Sequence, residues 1–185
     1  PTKNLAAAGD AGFATSMDEE TAERMRRLRQ HGGGRQYYHD EVGFNFRLSA
    51  LQAAALIQHL PRLVEWNAAR YTGAQHYAEL FTDANLGSKL TAPEVIPGHV
   101  FHQYVIRTPQ RDELMNHLRA LDIGCAVYYP LPLHLQPCFQ HLGGFAGQLP
   151  TAELAAKEVL ALPIYPGITA EQRQTVVAAI VDGLK

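Results

Sequence analysis

The 185-residue chain carries a formal net charge of -2 and 46% hydrophobic residues, enough apolar material for a buried core in one domain or two small ones. With no long basic run it has no electrostatic footprint for nucleic acid or an anionic membrane, so an anionic ligand must be met by local arginines and backbone amides. No apolar run approaches a membrane span, no signal peptide is visible, and Cys125 and Cys138 have neither metal-site spacing nor the number for a disulfide framework, which reads as two free thiols in a reducing cytoplasm.

The chain opens with proline, not methionine, and the true N-terminus is expected upstream of Pro1. Lys3 falls in an irregular loop between Pro1 and the turn-forming Gly9-Asp10-Ala11-Gly12. A loop lysine can be presented to a ligand, although by itself it reads as a solvated surface charge. Residues 12–15 form a short apolar run that predicts a buried strand. Ser16 and Glu19 have capping-box spacing for a helix carrying Ala22, Met25 and Leu28 on one face. Arginines crowd its C-terminal end, where the helix dipole is sufficient reason for them, and His31 with Gly32-Gly33-Gly34 stops it.

Residues 32–47 have no clear period and read as a long functional loop or extended arm. Ser49 opens a helix, 50–57, apolar on nearly every face and therefore expected between layers or subunits. At Pro61 it either kinks or gives way to a second helix with proline in its first turn, which continues through Phe81 as a connector between domains. Beyond Thr91 the pattern predicts a strand at 100–106, a helix over 111–121 closing at Gly124, and a second strand at 125–129, together a small β-α-β unit. Pro130, Pro132 and Pro137 hold the next segment extended. Two helices follow, one from Thr151 through Val159 and one opened by a Thr169/Gln172 capping box. There is no internal repeat, and the histidine spacing contains no HExxH or similar metal cluster.

Three stretches carry a resemblance: PTKNLAAAGDAGFAT at 1–15, YYHDEVGFNFRLSALQAA at 37–54 and YYPLPLHLQP at 128–137. With the VLALPIYP and T-x-E-Q segments near the C-terminus, they make the chain similar end to end to the DegT/DnrJ/EryC1/StrS family of pyridoxal-phosphate (PLP) sugar aminotransferases. The resemblance implies an α/β fold of the aspartate aminotransferase-like kind, fold type I of the PLP-dependent transferases. Residues 1–62 would be the end of the large domain with a dimer arm and the start of the connecting helix, and 63–185 the small C-terminal α+β domain.

In that family the lysine of the P-[TG]-K-N-L-G segment, here Lys3, forms the Schiff base with PLP and then shuttles the proton. Glutamate first charges the cofactor as pyridoxamine phosphate, and the keto group of a nucleotide-sugar then accepts the amine. The asparagine of G-x-N-x-R-L, here Asn45, would reach across a homodimer interface to the phosphate of the neighbouring cofactor, and Arg47 would lie near the substrate pyrophosphate, roles that suit an amide N–H and a planar guanidinium. On spacing alone these two read as a turn residue beside Gly43 and a local helix cap. Tyr128, Tyr129 and His134 match the aromatic and histidine positions of the H/Y-Y-P-x-P-L-H segment in the substrate pocket, and His39 is a further substrate-side candidate. No residue is assigned to a metal.

Two departures from the family pattern matter. Ala6 stands where the family usually has glycine, which is expected to shift the loop after Lys3. The resemblance also covers only the C-terminal half of the family, so the chain is expected to be part of a longer protein and not a competent aminotransferase alone. Two alternatives remain: a non-catalytic regulatory or dimerisation fragment of the same fold, and a sugar dehydratase of the superfamily. The dehydratases resemble the family with histidine at the motif lysine, which Lys3 argues against.

Overall fold

The first helix begins where an acidic side chain can close its open end. In the computed structural model, which describes residues 1–185, α1 (Glu19–Leu28) is capped by Asp18, whose carboxylate accepts from the Thr21 N–H at 2.8 Å. Ser16, the expected cap, instead accepts from Asp18 N–H at 3.1 Å. A carboxylate at this end meets both the unpaired N–H groups and the dipole, and here it displaces the hydroxyl by two residues.

The chain divides into two compact units, Pro1–Leu63 and Val64–Lys185. In the first, residues 44–46 run back along the end of α1. Phe44 N–H donates to Leu28 O at 2.7 Å, Phe46 N–H to Arg29 O at 3.0 Å, and His31 N–H to Phe44 O at 2.9 Å, so the arm supplies donors to carbonyls that the helix end leaves open. Arg24 donates from Nε and Nη2 to Glu41 Oε2 at 3.1 and 3.0 Å, with Arg27 on the other oxygen at 3.8 Å. Two of the arginines read as dipole partners therefore also pin the arm.

Residues 12–15 are not the expected buried strand: they make no ladder in the chain, and Phe13 is 88% exposed. An apolar run becomes a strand only with a partner to pair with. α2 (Ala50–His59) likewise buries no residue within the chain, leaving Leu51 and Ile57 exposed. A short 3₁₀ turn, Leu60–Arg62, carries Pro61, and α3 (Leu63–Ala84) starts after it as a separate helix.

The second unit is built on an antiparallel pair, β1 (Tyr104–Arg107) and β2 (Val159–Leu162), in the register Tyr104↔Leu162 to Arg107↔Val159. Thr91 exchanges two backbone bonds with Arg107, and Ala126 exchanges two with Ala161, so each strand is flanked on its outer side by one bridge. This corrects two expectations. Residues 125–129 contribute only that bridge, and the second strand is Val159–Leu162, whose first residue reads from sequence as the end of a helix. Leu160, Ala161 and Leu162 are buried, and α5 (Pro150–Glu158) stops where that buried run begins. Small apolar residues suit either period, and the central position in the ladder decides for β. The β-α-β unit is therefore absent. The first strand is also shorter than 100–106, because Phe101 has a positive φ of 36°.

α4 (Arg111–Ala120) packs Leu114 and Leu118 into the core with Val176, Val177 and Ile180 of α6 (Ala170–Gly183), whose Thr169/Gln172 capping box forms as expected. Tyr77 and Phe81 of α3 close the aromatic centre around Tyr104, with the Tyr77 and Tyr104 ring centroids 4.9 Å apart. Tyr77 donates its hydroxyl to Pro163 O at 3.0 Å, while the buried Tyr104 hydroxyl has no partner. Tyr104→Phe is accordingly expected to raise stability by about 1 kcal/mol and Tyr77→Phe to lower it by about as much, read as opposite shifts of the urea midpoint at unchanged slope. No helix is long and apolar enough to cross a membrane.

Candidate functional site

Lys3 occupies a tight turn closed by Ala6 N–H to Lys3 O at 2.8 Å and Ala7 N–H to Pro1 O at 3.0 Å. The side chain is exposed, and its ammonium makes no hydrogen bond or ion pair in the chain. Ala6 has φ of +56°, the left-handed region, so alanine occupies a conformation that glycine adopts without a Cβ penalty. Ala6→Gly is expected to stabilise this turn by about 0.5–1 kcal/mol, seen as an upward shift in the denaturation midpoint. Downstream, Gln52 of α2 accepts from Ala8 N–H at 3.0 Å, tying the lysine loop to the helix. Gln52 was not foreseen; its signal was one amide in an otherwise apolar run.

Asn45 and Arg47 are brought into direct contact. Arg47 Nε donates to Asn45 Oδ1 at 2.8 Å, which occupies the amide's acceptor and leaves its NH₂ donors and the rest of the guanidinium uncommitted. The Gln30↔Asn45 bridge and the stacked Phe44 and Phe46 rings, 4.8 Å apart, hold the backbone beneath them. Arg47 borders two cavities of about 970 Å³, one between residues 10–16 and α1, the other inside the arm. His39 lines the arm cavity and donates Nδ1–H to His31 O at 2.9 Å, so part of its capacity goes to the arm itself.

In the second unit Tyr128 and Tyr129 stand edge to face with centroids 5.6 Å apart and remain exposed. His134 lies in a one-turn 3₁₀ segment, Leu133–Leu135, and lines a cavity of about 360 Å³ with Leu133, Phe139, Leu142, Gly144 and Gln148, a lining that does not include the tyrosines. His134 Nε2 is 3.0 Å from Glu153 Oε1, a partner the sequence reading missed. Glu153 also accepts from the backbone N–H of Gly147 and Leu149, and these bonds, Gly147 first and then His134, hold its carboxyl below the usual carboxylate range. Its only signal was an acidic residue in a helical first turn opened by Pro150.

The donor set fits a cofactor that carries both a carbonyl and a phosphate: a primary amine without a partner at Lys3, and amide and guanidinium N–H groups that can meet anionic oxygen at Asn45 and Arg47.

Residues 1–181 match the DegT/DnrJ/EryC1/StrS aminotransferase family. A pleiotropic regulatory protein of Geobacillus stearothermophilus is 48% identical over 184 residues, 98% of this chain and 49% of that protein. The dTDP-3-amino-3,4,6-trideoxy-alpha-D-glucose transaminase of Streptomyces venezuelae is 39% identical over 181 residues, 97% of this chain and 47% of that protein. Among solved structures, S. venezuelae DesV in complex with a ketimine intermediate superposes with a TM-score of 0.81 at 37% identity, covering 91% of this chain and 45% of that one. The chain thus spans about half the length of the curated relatives it matches. The fold it shares with these proteins is the expected fold type I of the PLP-dependent transferases. The chain belongs to the DegT/DnrJ/EryC1/StrS aminotransferase family.

Proposed function

We propose that the whole protein is a PLP-dependent aminotransferase that moves an amino group from glutamate to the keto carbon of a nucleotide-linked sugar. The observation that carries this reading is Lys3, a motif lysine at a tight turn with its amine uncommitted, within a family match covering residues 1–181. The transaminase name of the S. venezuelae relative supports the substrate class. PLP, when bound, supplies an electron sink for the carbon that carries the nitrogen.

The chain's own residues do the rest. Lys3 Nζ holds the cofactor carbonyl and afterwards takes up and returns a proton. Asn45, its Oδ1 already occupied, presents N–H donors to the phosphate, and Arg47 meets the substrate pyrophosphate with its remaining guanidinium edge. Tyr128, Tyr129, His134 and His39 stand on the substrate side. The amine donor reacts first and the keto-sugar second. Residues 1–62 serve as the end of the cofactor domain with its arm and 63–185 as the small domain. The uncovered apolar face of α2 supports a homodimer with active sites shared across the interface, and the two unpaired thiols suit the cytoplasm.

Borohydride reduction of the PLP-loaded whole protein, followed by peptide mass mapping, tests this reading. A pyridoxyl mass on the peptide containing Lys3 is expected. Its absence with PLP in excess overturns the assignment and favours the regulatory reading suggested by the name of the Geobacillus relative. Keto-sugars on UDP, dTDP and GDP then sort the substrate.

A further inference from the structure

Residues 130–149 have little regular structure of their own: Pro130, Pro132 and Pro137 keep the chain extended, and two 3₁₀ stretches, Leu133–Leu135 and Pro137–Leu142, fold it back. A segment without a ladder keeps its side chains in place only through individual pins. Its principal pin is one carboxylate. Glu153 Oε1 is 3.0 Å from His134 Nε2 and accepts from Gly147 N–H at 2.8 Å and Leu149 N–H at 3.3 Å, and Oε2 accepts from Gly147 N–H at 2.9 Å. Where the fold-back crosses itself, a Cβ on Gly144 would fall on the His134 carbonyl. The His134 and Glu153 side chains are 12% and 18% exposed, so the contact is largely shielded from water.

An ionised carboxylate only accepts hydrogen bonds, so the ring nitrogen facing it must be the N–H, and His134 Nδ1 is the nitrogen left over. Nδ1 has no partner in the chain, and His134 borders the 360 Å³ cavity together with the apolar residues Leu133, Phe139 and Leu142 and with Gln148. Apolar walls with one acceptor and one amide suit a ring that has an apolar face and hydroxyls at its edge, as a sugar does.

We propose that Glu153 is a positioning residue: it orients His134 and fixes Nε2 as the donor, so that Nδ1 accepts from a hydroxyl on the sugar of the amine acceptor. This rests on the aminotransferase reading above, and it makes Glu153, which touches no substrate, a determinant of sugar binding.

The test uses the complete PLP-loaded enzyme with His134→Ala, Glu153→Ala and Glu153→Gln. Glu153→Ala is expected to raise KM for the keto-sugar nucleotide about tenfold, the loss of one hydrogen bond, with kcat and the glutamate half-reaction little changed. Glu153→Gln, which keeps a carbonyl acceptor, should recover most of that loss, and the Glu153→Ala/His134→Ala double variant should be no worse than His134→Ala. A downfield, exchange-protected imidazole proton should appear in the NMR spectrum of the wild type and vanish in both alanine variants. Amine transfer with an unmoved KM in Glu153→Ala, equal losses in both half-reactions, additive losses in the double variant, or no such proton in the wild type would each overturn this inference alone. A wild-type enzyme that transfers no amine overturns the functional reading and this inference with it.

Discussion

Lys3→Ala and Lys3→Arg in the whole protein are expected to lower amine transfer by at least about 10³-fold while changing stability by no more than about 0.5 kcal/mol. The two halves of this expectation have separate grounds. Lys3 makes no side-chain bond or ion pair in the chain, so its removal takes nothing from the fold. The chemistry asks one amine to hold a carbonyl and then carry a proton, and neither a methyl group nor a guanidinium, protonated at every working pH, can do that. A small primary amine in the buffer should restore part of the alanine variant's rate and none of the arginine variant's, because only the first leaves room for it. Steady-state rates with and without such an amine, beside a urea melt, make the measurement. Retention of even a tenth of the wild-type rate in Lys3→Arg would move the reaction to another residue.

What could be read from sequence was what local chemistry decides. The Thr169/Gln172 capping box, the stop at 31–34 and the arm after it follow from residues within a few positions of one another. The misreadings share another cause. Val159–Leu162 became a strand because it is central, between β1 and Ala126, and residues 125–129 failed to become one because only Ala126 found a partner, which no window of the sequence contains. The same holds at the site. The contact between Asn45 and Arg47 is local, two residues apart in a motif that the resemblance supplied, whereas Glu153, 19 residues beyond His134, and Gln52, 44 beyond Ala8, act across separations that carry no periodic signal. The start of α1 shows the limit of even local rules: Ser16 has capping-box spacing, yet the Asp18 carboxylate takes the cap, where it also meets the helix dipole.

Gly43→Ala should have the second large effect, and it would reach the site through the backbone. A Cβ there would fall on Gly32 N, with Gly32 Cα at 2.7 Å, and these are main-chain atoms that cannot turn aside. Gly32 has no room to yield: at φ of +75° it is already left-handed, and its carbonyl accepts from both Asp40 and Glu41. The arm must therefore part from the end of α1, at a cost of about 3 kcal/mol or more. The Phe44 and Phe46 N–H groups, which now donate to Leu28 O and Arg29 O, should lose their protection from hydrogen exchange. Asn45 and Arg47 ride on that segment, so PLP affinity in the whole protein should fall at least about 100-fold, the equivalent of that cost. Gly34→Ala is the control, since the nearest atom to its Cβ would be Arg27 Cδ at 3.9 Å, and both readouts should stay at wild-type values. Lost protection with unchanged PLP affinity would mean that the arm folds as described but does not hold the cofactor. Unchanged protection would mean that the close passage of Gly43 over Gly32 does not set the arm.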